Sequence, residues 1–86
     1  MKHFTYKTHG TCSSKIDFDL DEDKLIHNVK FTGGCNGNLK AIGKLIEGKN
    51  ASVIADILEG NTCGPRPTSC ADQLSKAIKE AVKNEF

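Results

Sequence analysis

Four cysteines carry most of the reactive chemistry in this sequence: Cys12, Cys35, Cys63 and Cys70. An even count permits two disulfides in three pairings. Met1 to Tyr6 has no apolar signal core, so the chain is expected in the cytoplasm, where thiols stay reduced. In that compartment a dispersed set of four points to metal ligation or thiol redox chemistry, with plain buried cysteine as the alternative. None of the four is expected in the middle of a regular element. Cys12 falls in a loop, Cys35 at a strand end where a helix begins, Cys63 in a loop broken by Pro65 and Pro67, and Cys70 in the first turn of the last helix. Structural cysteines usually occupy apolar faces. Loop junctions and helix N-termini stabilise thiolate instead. Four converging thiolates suit tetrahedral zinc or an iron–sulfur cluster equally. The CxxC knuckle of zinc ribbons is absent, because Gly64 to Ser69 separate Cys63 from Cys70.

A second group surrounds Cys35. Gly33, Gly34, Asn36, Gly37 and Asn38 form a turn that could present backbone amides to a phosphate. It matches neither GxGxxG nor a Walker A loop, so a plain strand-to-helix turn is the competing reading. His9 precedes Cys12 and could supply an extra ligand, and Arg66 could meet an anion. The acidic stretch of Asp17, Asp19, Asp21, Glu22 and Asp23 lacks EF-hand spacing and reads as a solvated strand face and turn.

The elements that must position these residues follow from periodicity. Lys2–Thr8 alternates weakly. Lys15–Leu20 sets Ile16, Phe18 and Leu20 opposite Lys15, Asp17 and Asp19, a half-buried strand. In the return strand, Lys24–Thr32, Leu25, His27, Val29 and Phe31 share a face and Ile26 falls on the other. A bulge near Ile26 to Asn28, or a strand covered on both faces, would reconcile this. Asn38–Glu47 shows a helical stripe of Leu39, Ile42 and Ile46, closed by Gly48. Asn50 caps a short helix holding Val53, Ile54, Ile57 and Leu58. Ser69 to Asp72 is a capping-box pattern opening a helix from about Cys70 to Asn84, with Leu74, Ala77, Ile78, Ala81 and Val82 inward. Strands precede helices, so the class is α+β: an antiparallel three-stranded meander with three helices packed on one face.

Composition agrees with a single domain over residues 1–86. Apolar residues make up 37% of the chain, and 12 basic side chains against 11 acidic ones give a net charge of +1. That balance, with no Trp and few aromatics, excludes a strongly basic nucleic-acid domain and a base-stacking platform. No apolar run approaches the ~20 residues of a membrane span. A chain this short buries only about 60–65% of its unfolded surface, so a staple such as a metal is valuable.

With Gly10-Thr11-Cys12, Gly33-Gly34-Cys35-Asn36-Gly37-Asn38 and Thr68-Ser69-Cys70-Ala71-Asp72, the chain resembles the four-cysteine TSCPD-domain proteins, named for a Thr-Ser-Cys-Pro-Asp motif. Ala71 replaces the proline, which at a first helical turn mainly favours helix initiation. Related domains occur at the C-terminus of adenosylcobalamin-dependent ribonucleotide reductases. The resemblance implies an accessory or derived role, because the chain has no room for that enzyme's barrel, cobalamin site or substrate pocket. Its architecture also resembles IscU/NifU-type iron–sulfur scaffolds, in which cysteines placed like Cys12, Cys35 and Cys70 hold iron–sulfur or zinc. The scaffold's histidine before the last cysteine is Ser69 here, and Cys63 is additional.

The leading expectation is therefore a small cytosolic zinc or iron–sulfur domain ligated by Cys12, Cys35, Cys63 and Cys70. A rival is a thiol–disulfide partner of a reductase, with Cys70 attacking and Cys63 resolving. A third is a flavin- or nucleotide-binding protein using Gly33 to Asn38. An 86-residue monomer offers little concavity, so that reading implies a homodimer.

Overall fold

A computed structural model describes residues 1–11, 13–34, 36–62 and 64–85, with Asn36 and Glu85 by backbone alone. Cys12, Cys35 and Cys63 lie outside the described residues. Strands β1 (Lys2–Lys7), β2 (Ser13–Leu20) and β3 (Ile26–Gly33) precede helices α1 (Asn36–Ile46), α2 (Ala51–Leu58) and α3 (Cys70–Glu85). The strands form one antiparallel sheet in the order β1-β2-β3. This is the α+β arrangement expected from the sequence.

The alternation in β2 sets the layers. Ile16, Phe18 and Leu20 are fully buried beneath the helices, together with Leu74 and Ile78 of α3. Each such side chain contributes about 1.5–3 kcal/mol on burial. Phe4 of β1 stacks on Phe18 with ring centroids 5.5 Å apart. The opposite sheet face is polar, with Thr5 donating to Asp17 at 2.6 Å and Asn28 to Asp19 at 2.9 Å. The acidic stretch is thus a solvated strand face and turn.

β3 shows why its sequence was ambiguous. The ladder shifts register opposite Asp17 to Asp19, and Asn28 takes a left-handed φ of 56°. This bulge rotates the start of the strand. Ile26 enters the core fully buried, and His27 turns away from the core face on which simple alternation had put it. His27 Nε2 then lies 2.7 Å from Asp21 Oδ2, and Nδ1 lies 2.6 Å from Glu47 Oε2. A neutral imidazole donates from one nitrogen only, so two carboxylate partners favour the imidazolium. The Asp21 bond, then the Glu47 bond, raises the His27 pKa above its ordinary value. Glu47 also accepts the Asn28 amide at 2.8 Å, which ties the bulge to the end of α1.

A raised histidine pKa stabilises the folded state most fully below the unfolded value of about 6.5. That contribution is lost as pH rises through the folded value. His27→Gln is accordingly expected to melt below the wild type at about pH 6, with the gap narrowing by about pH 9. Thermal melts at the two pH values check this, and an unchanged gap would contradict it. The comparison is between variant and wild type because Asp19 and Asp17 raise the His3 pKa as well.

α1 lies close on β3, since a Cβ at Gly43 would stand 3.1 Å from the Val29 carbonyl oxygen. A larger residue there would push the helix off the sheet. α2 departs from its apolar pattern. Ala51 and Ala55 are fully buried, Ile54 and Leu58 are half-buried, and Val53 and Ile57 face outward. The small alanines let α2 approach α3 closely enough for Ser75 Oγ to donate to the Ala55 carbonyl at 2.8 Å. Asn50 caps α2 as expected, its Oδ1 accepting the Val53 amide at 3.1 Å. Among the described residues no helix is long and apolar enough to cross a membrane.

Candidate functional site

Cys70 opens α3, and the residues around it hold that turn in place. Ser69 is the cap: its hydroxyl accepts the Asp72 amide at 3.1 Å, and its carbonyl accepts the Gln73 amide at 2.8 Å. The Ser69 hydroxyl also donates to the Asn61 carbonyl, fastening the preceding loop to the helix. Only half of a capping box forms. The Asp72 carboxylate does not return to the Ser69 amide. It accepts instead from the Gly60 amide at 2.8 Å, the Thr68 hydroxyl and Lys76 Nζ at 2.6 Å. Lys76 and then Thr68 are the main groups that draw the Asp72 pKa down to about 2, against the opposing effect of burial. The motif aspartate is therefore a buried carboxylate that joins the end of α2 to the start of α3.

Behind this turn stands the β1–β2 loop. Gln73 Nε2 donates to Thr68 Oγ1 at 3.0 Å, and Gln73 Oε1 accepts the His9 amide at 3.1 Å. Gly10 has φ +70°, and a Cβ there would meet Thr68 Cγ2 at 3.3 Å, so this glycine permits both the turn and the close approach. The Ser13 carbonyl accepts from Thr8 Oγ1 at 2.6 Å and from Thr11 Oγ1 at 3.2 Å. Ser13 Oγ lies 3.2 Å from Thr11 Oγ1 and 3.1 Å from Cys70 Sγ. Cys70 is buried at 9% exposure.

A cavity of about 280 Å³ opens beside Cys70. Its apolar floor includes Leu39, Ile42 and Ala71. Thr11, Asn38, Thr62 and Arg66 also line it. Thr11 precedes Cys12 in the chain, Thr62 precedes Cys63, and Asn38 lies in the helical turn that follows Cys35. Of the proposed phosphate turn, Gly33 and Gly34 take positive φ at the end of β3, Gly37 faces open space, and Asn38 reaches the cavity. His9 is exposed, with its backbone amide engaged by Gln73. Among the described residues no group of three or more His, Cys, Asp or Glu could hold a metal ion.

Sequence reasoning did not single out Ser13 or Gln73, and it gave Thr11 and Thr68 only as parts of the family motifs, without a role. The only available signal was the density of hydroxyl residues flanking Cys12 and Cys70.

No curated protein and no solved structure matches the chain significantly, and the likeness to iron–sulfur scaffolds is not confirmed. A family model does match, from residue 3 to residue 82, and it spans every motif just described. The chain belongs to the TSCPD domain family.

Proposed function

We propose that this chain is a small metal-binding domain of a reducing compartment, related to ribonucleotide reductase, in which Cys12, Cys35, Cys63 and Cys70 together hold zinc or an iron–sulfur cluster. The carrying observation is that Cys70 shares its cavity with Thr11, Thr62 and Asn38, chain neighbours of the other three cysteines. The residues fit such a group chemically. Cys70 sits at a helix N-terminus, where the dipole stabilises thiolate, and a hydroxyl stands 3.1 Å from its sulfur. The cavity beside it, about 280 Å³ with Leu39 and Ile42 in its floor, leaves room for a compact group. The metal would supply a cross-link between distant parts of the chain, or electron storage if it is a cluster. The role is accessory, serving a reductase or another redox protein.

Single Cys→Ser variants at the four positions test the reading. Each is expected to lose bound metal and to melt earlier than the wild type. Full metal content in Cys35→Ser would contradict four-cysteine ligation. The helix-terminal placement of Cys70 also favours thiol–disulfide exchange as a second reading. That reading predicts reversible two-electron oxidation with no metal bound.

A further inference from the structure

We propose that the open edge of β1 pairs with β1 of a second copy of this chain, joining the two sheets into one across a two-fold axis at Thr5. The inference is independent of the metal reading. The two edges of the sheet differ. At β3 the Ile26 amide donates to the Lys49 carbonyl at 2.9 Å, the Ile26 carbonyl accepts the Gly48 amide at 2.7 Å, and the bulge at Asn28 breaks the run. β1 has none of these protections. Its register with β2 runs unbroken from Lys2 to Lys7, without Pro or Gly. The Thr8 amide donates to the Ser14 carbonyl at 3.2 Å, so Lys2, Phe4 and Tyr6, in phase with Thr8, turn their backbone groups toward β2. Those of His3, Thr5 and Lys7 point outward, and among the described residues no backbone group meets them there.

Below this edge lies a groove of about 200 Å³ between β1 and α3, with Phe4, Tyr6, Phe18, Ala77 and Ala81 in its wall. The strand that fits it carries apolar side chains two residues apart toward the helices and polar ones on the other face. β1 is itself such a strand, since Phe4 and Tyr6 are half-buried and His3, Thr5 and Lys7 are exposed. With the axis at Thr5, each Phe4 stands opposite the partner's Tyr6, and every outward backbone group of His3, Thr5 and Lys7 is engaged. The charges agree. Lys7, which faces Lys15 on β2, meets the partner's His3, the histidine whose Nδ1 lies 2.6 Å from Asp19 Oδ1. No lysine faces a lysine of the other copy. Because the β3 edges are closed, assembly stops at the dimer.

Sedimentation equilibrium of the full chain under reducing conditions tests this, with circular dichroism to confirm the fold of each variant. The wild type is expected at twice the mass of one chain. Thr5→Lys and Thr5→Glu each set like charges against each other on the axis, and each should raise the dimer Kd about tenfold. Mixed in equal amounts, the two variants should restore wild-type association as a heterodimer. Thr5→Pro removes an amide that the β1–β2 ladder does not use and should give a folded monomer. If Thr5→Pro fails to fold, the charge pair carries the test. A wild type that stays monomeric would overturn the proposal and leave the edge to a strand of another protein. A dimer that all three variants leave intact would overturn it as well, placing the interface on another surface, such as the exposed Val53 and Ile57 of α2. Failure of the mixed charge variants to associate would overturn the pairing at Thr5.

Discussion

Asp72→Ala is expected to lower the stability of the chain by about 3 kcal/mol, a large share of what an 86-residue domain possesses. The carboxylate is 2% exposed and accepts from Gly60, Thr68 and Lys76. Its removal leaves the buried Thr68 hydroxyl without its charged acceptor and releases the loop that follows α2. Lys76 is half exposed and can return to water, which keeps the loss below that of a fully buried ion pair. The pKa supports this size. Lowering from 3.8 to about 2 corresponds to about 2 kcal/mol at neutral pH. Because the folded value is depressed, this contribution is present above the unfolded pKa. It is lost as pH falls through about 2. Urea unfolding at neutral pH measures the difference, read as a shifted midpoint at constant slope. A variant within about 0.5 kcal/mol of the wild type would show that the motif aspartate does not fasten α2 to α3.

Metal removal is expected to destabilise the chain as well. The proposed ligands are spread from Cys12 to Cys70 along the chain, and a structural site contributes its binding free energy to folding. In a domain of this size each kcal/mol moves the Tm by about 4–8 °C. Stripping the chain with a chelator under reducing conditions should therefore lower the Tm by at least about 10 °C, and restoring the metal should reverse the loss. An unchanged melting curve would mean that the site, if occupied, does not hold the fold together.

The parts of this molecule readable from sequence are those governed by local periodicity and local capping. Ile16, Phe18 and Leu20 declared β2 and its buried face, Asn50 and Ser69 declared two helix starts, and Leu74 to Ala81 declared the inner side of α3. The bulge at Asn28 was half visible, as a conflict of phase between Ile26 and His27, but its resolution depended on pairing with Asp17 to Asp19 across the turn. For α2 the sequence named Val53, Ile54, Ile57 and Leu58 without a buried face; the structure buries Ala51 and Ala55 fully and leaves Val53 and Ile57 exposed. The motif residues were recognisable as a capping pattern. Their actual partners were not, since Asp72 reaches Gly60, Gln73 reaches His9 and Ser13 reaches Cys70 only after the chain has folded.

The central claim is that four cysteines hold one metal site, and it is tested most directly by counting metal and reactive thiols together. The full chain would be purified without a tag under anaerobic conditions, analysed for zinc and iron, and challenged with an alkylating agent before and after chelation. The account predicts about one zinc per chain, or iron in cluster stoichiometry, with all four cysteines protected until the metal is removed. A metal-free chain whose four cysteines react at once would contradict it.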